Sequence, residues 1–202
     1  YNGGQYKQAL PLLEKALRLY TETLGEKHPH TLTSLNNLAV TYDGLGRPTD
    51  AVPLHEKVLR LQTDTLGEKH PSTLLSLNNL AQTYYSLGRP AEALPLLEKV
   101  LRLYTETLGE KHPSTLMSLN NLALTYAALG RPAEALPLLE KALRLQTDTL
   151  GEKHPGTLAS LNNLAATYDG LGRPADAVPL HEKALRLQTD TLGEKHPSTL
   201  LS

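Results

Sequence analysis

A five-residue string, Gly-Glu-Lys-His-Pro, recurs at a constant interval along this chain of 202 residues. It begins at residues 25, 67, 109, 151 and 193, so each interval is 42 residues. Four complete units follow from this period, over residues 31–72, 73–114, 115–156 and 157–198. A fixed period of this length is typical of arrays in which each unit is one supersecondary element that buries its apolar faces against its neighbours.

Each unit carries two helical patterns joined by a short turn. In the first pattern, Leu32, Leu35 and Leu38 recur at helical spacing along one face. Gly46 is placed to end this helix, because glycine tolerates a left-handed backbone, and Pro48 is placed to open the second. The sequence shows no period-2 runs, so no strands are predicted.

The start of each first helix should be capped by a hydroxyl. Ser72 or Thr73 stands where an N-cap side chain is wanted in the second unit. Outside the four units, residues 6–24 match a second helix without its partner, and residues 199–202 begin a further unit. We therefore expect one domain over 1–202, cut from a longer array.

Composition and charge exclude several classes of function. The net charge of −1 lacks the basic footprint of a nucleic-acid-binding protein, and no apolar run is long enough to span a membrane. The absence of cysteine excludes disulfides and fits a reducing, cytoplasmic location. The loop histidines, at one per unit, are too far apart to share a metal ion and are expected to pack or cap locally. We predict no catalytic, metal or cofactor site.

The repeated motifs resemble a known family. Leu-Asn-Asn-Leu-Ala-x-Thr-Tyr-x-x-Leu-Gly-Arg, followed by Ala-x-Pro-Leu-x-Glu-Lys-x-Leu, is similar to the tetratricopeptide repeat. The 42-residue length and the Thr-Leu-Gly-Glu-Lys-His-Pro connection resemble the long repeats of kinesin light chains and of bacterial multi-repeat proteins. The resemblance implies an all-α, right-handed superhelical solenoid of antiparallel helix pairs, whose concave groove binds a peptide.

Within the first helix, the positions at which the copies differ lie along one stripe. Residues 33, 40, 43 and 44 lie on this stripe together with Asn36, which is identical in all units. The resemblance places this stripe in the groove and gives its asparagines contacts to a peptide backbone, less surely for the second asparagine of each pair (Asn37, Asn79, Asn121 and Asn163). The predicted groove residues are Asn36, Val40, Asp43, Asn78, Gln82, Tyr85, Asn120, Leu124, Ala127, Asn162, Ala166 and Asp169. Alternatively, the asparagines bridge neighbouring helices, and the sequence differences between the copies are drift on a tolerant surface.

Two histidines stand where other units have leucine. His55 and His181 occur only in the units that carry Asp-Gly at 43–44 and 169–170. We expect each imidazole to be partly buried between helices, in space left by Gly44 or Gly170.

Three functions are compatible with these features. The favoured one is a non-catalytic scaffold that binds a protein or peptide segment in its groove. The alternatives are a sensor or scaffold arm of a larger signalling ATPase, and a structural or designed spacer that stacks on itself. Head-to-tail self-association through the truncated ends is also expected, because each unit is built to stack on a near copy.

Overall fold

A computed structural model describes residues 3–192 of the chain, and the predicted unit start at 199–202 lies outside this range. The described residues form nine α-helices and no strand. Their bounds are α1 Gly3–Leu24, α2 Pro29–Gly44, α3 Pro48–Leu66, α4 Pro71–Ser86, α5 Pro90–Leu108, α6 Pro113–Ala128, α7 Pro132–Leu150, α8 Pro155–Gly170 and α9 Pro174–Leu192. The predicted all-α repeat architecture is confirmed.

The helices form two compact units, residues 1–103 and residues 104–202, and the boundary falls inside α5. We call them the N-terminal unit and the C-terminal unit and describe each by itself. The first helices of the four repeats are α2 and α4 in the N-terminal unit, and α6 and α8 in the C-terminal unit. The expectation of one continuous array over 1–202 stays a prediction.

The turn between the two helices of a repeat is built as the sequence indicates. Gly46 has a φ of +70°, the left-handed conformation that a side chain disfavours. The Gly46 N–H donates to the Asp43 carbonyl at 2.9 Å, and the Arg47 N–H donates to the Tyr42 carbonyl at 2.9 Å. These two bonds define a Schellman motif, which satisfies the last carbonyls of α2. Pro48 then opens α3, so the chain reverses direction within three residues.

The predicted hydroxyl caps of the first helices are wrong. The N-cap of α4 is His70, whose Nδ1 accepts from the Ser72 N–H at 3.2 Å. His28, His112 and His154 cap α2, α6 and α8 in the same way. The proline that follows each histidine occupies N1 and lacks an N–H, so the histidine Nδ1 accepts from the N–H of the residue at N2. These four loop histidines are therefore local caps, as expected from the sequence.

Helices within a repeat pack antiparallel. The start of α2 lies beside the end of α3, where Leu32 and Gln62 line one cleft. The end of α2 lies beside the start of α3, where Asp43 bonds to His55. In the C-terminal unit, Ala123, Ala135, Leu139 and Leu164 form one buried cluster, which joins α6, α7 and α8. No helix in the described part of the chain is long and apolar enough to cross a membrane.

Polar links repeat between consecutive repeats. Lys57 of α3 donates to the Glu26 carboxylate at 2.8 Å, and this bond lowers the pKa of Glu26. The Tyr84 hydroxyl of α4 donates to Glu56 at 2.7 Å, and this hydrogen bond, together with burial, raises the pKa of Tyr84 to about 12. The ion pairs are solvent-exposed and contribute little individually. Each Lys–Glu pair links the loop before a repeat to the second helix of that repeat.

Candidate functional site

In the C-terminal unit, the face shared by α6 and α8 carries two adjoining clefts. One has a volume of about 440 Å³ and the other about 390 Å³, and Leu124 and Asn163 line both. Volumes of this size lie within the range of small-ligand sites, which is about 300–1,000 Å³. Because Leu124 and Asn163 border both clefts, the two form a continuous candidate site along the first helices.

The larger cleft, which we call the turn-side cleft, lies toward the ends of α6 and α8. Its walls are mainly apolar and made of small side chains. It is lined by Leu124, Ala127, Gly130, Pro132, Asn163, Ala166, Thr167 and Gly170.

The other cleft, which we call the loop-side cleft, lies toward the start of the same helices. Met117 and Leu150 give it apolar walls, while Gln146 and the capping His154 add polar groups. The N-terminal unit has a cleft of about 290 Å³ at the corresponding place, lined by Thr33, Leu66, Gln62 and His70 among others. The recurrence of this cleft follows from the 42-residue period.

The structure brings together four of the six groove residues predicted in the C-terminal unit. Asn120 and Leu124 line the loop-side cleft, and Leu124, Ala127 and Ala166 line the turn-side cleft. Asn162 and Asp169 line neither cleft. Asn163, which is next to Asn162 in the sequence, borders both clefts instead.

In the N-terminal unit the predicted residues differ widely in exposure. Val40 and Tyr85 are exposed, and Asn36 and Gln82 are half-buried on the same face. Asn78, however, is only 5% exposed. Its amide could not pair a peptide backbone without a change in the packing around α4.

The asparagines also form links between first helices, which is the alternative that the sequence left open. Asn79 Nδ2 lies 3.5 Å from Asn36 Oδ1, at the outer limit of a hydrogen bond. The Ser160 hydroxyl lies 2.8 Å from Asn120 Oδ1 and also contacts Gln146 Oε1. Since a serine has one hydroxyl proton, it donates to one of these acceptors at a time. Asn120 is thus both a bridge and a cleft residue.

The histidine prediction is right about burial, which is complete for His55 and partial for His181, and wrong about its cause. His55 has no exposed surface, and its Nε2 lies 2.9 Å from Asp43 Oδ2. The Thr83 hydroxyl of α4 donates to the same oxygen at 2.8 Å. The absent side chain of Gly44 does not make room for His55, because a Cβ there would meet the ring of Tyr6. Asp43 is therefore the half-buried partner of the buried His55 as well as a stripe residue.

His181, in the last repeat, pairs with the equivalent aspartate but is more exposed to solvent. Its Nε2 lies 3.1 Å from Asp169 Oδ2, and 38% of its side chain is exposed. A Cβ at Gly170 would meet no heavy atom within 4 Å, so this glycine does not make space for His181 either.

Sequence reasoning missed Gln146 and His154 as cleft residues. A usable signal was present, because positions 62, 146 and 188 carry glutamine on an otherwise apolar helix face, while position 104 carries tyrosine. The described residues contain no group of three or more His, Cys, Asp or Glu side chains that could hold a metal ion.

Comparison with known proteins agrees with this geometry. The sequence profile of the tetratricopeptide repeat family matches residues 1–64, 44–106, 87–148 and 118–190. A search of curated proteins finds no significant match.

Solved structures show a similar fold. The nearly identical TPR-like repeats of a kinesin light chain-like protein from Podosopora anserina share 39% identity over 94% of this chain and 90% of theirs, with a TM-score of 0.82. A variant of the same repeats gives a TM-score of 0.84 at 39% identity, over 93% of this chain and 89% of that one. BtubC (BKLC) from P. vanneervenii shares the fold at 23% identity, over 96% of this chain and 77% of that one, with a TM-score of 0.82.

Proteins of this family are generally scaffolds for protein–protein interaction. The period, the helix pairs, the family profile and the structural neighbours agree over almost the whole chain. This chain therefore belongs to the tetratricopeptide repeat family, with repeats of the kinesin light chain type.

Proposed function

We infer that this chain is a non-catalytic interaction scaffold that holds an extended peptide segment along the first helices of its repeats. The observation that carries this proposal is the pair of adjoining clefts on α6 and α8, which four of the predicted stripe residues line. Three of these four, Leu124, Ala127 and Ala166, stand at positions that vary among the repeats. If the cleft selects side chains of a bound peptide, the residues that line it are expected to vary between repeats, as these three do.

Asn163 is the residue best placed to pair with a peptide backbone. It borders both clefts, and an amide side chain donates and accepts at once, so it can pair a backbone without reading its sequence. Asn162, next to it on the same helix, borders neither cleft, and its Oδ1 is buried without a partner. The two neighbours therefore make a matched pair of probes.

An array of immobilised peptides should give a selective hit, and that peptide then serves as the probe. Asn163→Ala should weaken its binding about two- to tenfold, which corresponds to one lost hydrogen bond. Asn162→Ala should leave the affinity unchanged, and calorimetric melting of both variants checks that they fold. Fluorescence anisotropy with the labelled peptide measures the affinities.

Two other outcomes would contradict the proposal. An array without a selective hit would favour the structural spacer. If Asn162→Ala weakens binding while Asn163→Ala does not, the peptide lies on a different face of α8.

Self-association has its own observation in support. Leu12 and Leu19 of α1 are 69% and 45% exposed, and Val178 and Leu185 of α9 are 52% and 42% exposed. The equivalents of the latter two in the first repeat, at positions 52 and 59, are half-buried. Apolar faces of this kind favour association, and near-identical repeats give them complementary shapes.

We expect head-to-tail oligomers whose average mass rises with concentration in light scattering. Val178→Glu together with Leu185→Lys should lower that mass, because charges on this face cannot be buried without cost. A strict monomer of the unmodified chain at millimolar concentration would contradict the expectation.

A further inference from the structure

The glycines at positions 44 and 170 occupy the same place in their repeats but have different surroundings. They are separated by three periods, and each lies at the end of a first helix, α2 or α8. At Gly44, a Cβ would lie 2.5 to 2.8 Å from three ring atoms of Tyr6. At Gly170, a Cβ would meet no heavy atom within 4 Å. An aromatic ring thus fills a space in the N-terminal unit that is open in the C-terminal unit.

The open space belongs to the turn-side cleft. Tyr6 stands three periods before Pro132, and both Pro132 and Gly170 line this cleft of about 440 Å³. The cleft therefore lies between the two positions that Tyr6 and Gly44 occupy in the other unit. For scale, an apolar cavity of about 150 Å³ is enough to hold benzene.

The lining of the cleft suits a flat apolar ring. Ala127, Ala166 and Gly170 are small, and Leu124 adds an aliphatic wall. In the first repeat, the residue in register with Ala127 is Asp43, which is engaged by His55 and Thr83. The alanine removes this carboxylate and leaves an apolar surface. Glycine allows a ring to approach the backbone more closely than any other residue would.

We propose that the turn-side cleft of the C-terminal unit binds the aromatic ring of a tyrosine or phenylalanine side chain in a peptide partner. Tyr6 against Gly44 shows the contact within this same chain. The proposal rests on the proposed peptide-binding function for the source of the ring, but the cleft itself can be tested without a peptide. Tyr6 and Pro132 occupy the same position of the repeat. The residue at this position then decides whether the space is filled by the chain's own ring or is open to the ring of a partner.

The probe is p-cresol, which is the side chain of tyrosine without its backbone. Ligand-observed NMR titration of the full chain should show saturable binding of p-cresol. The saturated analogue 4-methylcyclohexanol should bind about threefold more weakly or worse, because a puckered ring loses the aromatic contact. Equal affinities for the two would overturn the aromatic preference, and no saturable binding of p-cresol would overturn the site.

Matched variants locate the binding. Ala166→Leu narrows the turn-side cleft and should weaken p-cresol binding at least about tenfold, while Ala159→Leu, at a residue that lines the loop-side cleft but not the turn-side cleft, should change it less than about twofold. Leucine already stands at both positions in other repeats, as Leu124 and Leu75, so both variants should fold. Pro132→Tyr copies the pair of Tyr6 and Gly44 and should also abolish the binding.

Unchanged p-cresol binding in Ala166→Leu or in Pro132→Tyr would overturn the proposal. The test separates this inference from the function on which it rests. If p-cresol binds as expected but no peptide on the array does, the aromatic site is supported and the peptide-binding function fails.

Discussion

Leu139→Ala should destabilise the C-terminal unit by about 2–5 kcal/mol, the cost of removing a buried leucine and leaving a cavity. Leu139 has no exposed surface and belongs to the cluster that joins α6, α7 and α8. Because repeats are stabilised mainly by their neighbours, the loss should reach the clefts on α6 and α8. Guanidinium denaturation followed by circular dichroism measures the change.

Leu185→Ala is the control for this prediction. Leu185 lies in the second helix of the next repeat and is 42% exposed, so its truncation should cost less than about 1 kcal/mol. Similar losses from the two variants would mean that the α6–α8 cluster is not the centre of stability in this unit.

Asp43→Ala should destabilise the N-terminal unit by about 1–3 kcal/mol, because it leaves a buried imidazole without a hydrogen-bond partner. Asp43 Oδ2 is the partner of His55 Nε2, and His55 Nδ1 is already buried without one. Thermal melting monitored by calorimetry should show the loss as a lower midpoint.

Adding His55→Leu to Asp43→Ala should restore most of that stability. The double variant copies the third repeat, where Leu139 and Ala127 stand at the same two positions. Replacing both partners by apolar groups removes the unsatisfied polar atoms together. A double variant no more stable than Asp43→Ala alone would contradict this account.

Asp169→Ala supplies the matched control in the last repeat. The His181 side chain is 38% exposed, so water can replace the lost carboxylate and the expected change is below about 0.5 kcal/mol. The contrast between the two aspartates measures the combined effect of histidine burial and of the additional Thr83 hydrogen bond to Asp43.

The asparagine pairs show where sequence reasoning about the site ended. The stripe lies on the first helices, and its residues Asn120, Leu124, Ala127 and Ala166 line clefts. Within the pair, however, the sequence favoured Asn162, whereas Asn163 borders the clefts. Adjacent residues point about 100° apart on a helix, so the rotational setting of α8 against α6 decides which of the two faces the clefts.

The histidines show a similar limit. The correlation between His55 and the Asp-Gly pair was visible in the sequence, but it did not tell which of the two residues mattered. The hydrogen bond to Asp43 and the ring of Tyr6 over Gly44 separate them. Both contacts join residues on different helices, and neither follows from spacing along one helix.

The helix pairs, their period and most of their ends follow from the sequence. These features depend on local chemistry: the φ of Pro48 suits a first helical turn, and Gly46 tolerates the left-handed conformation that closes the previous helix. Only the packing of the helices shows that Asp43 pairs with His55 and which side chains line the clefts. The reason is physical: periodicity assigns a residue to a face of its helix, but only the packing of neighbouring helices determines what that face meets.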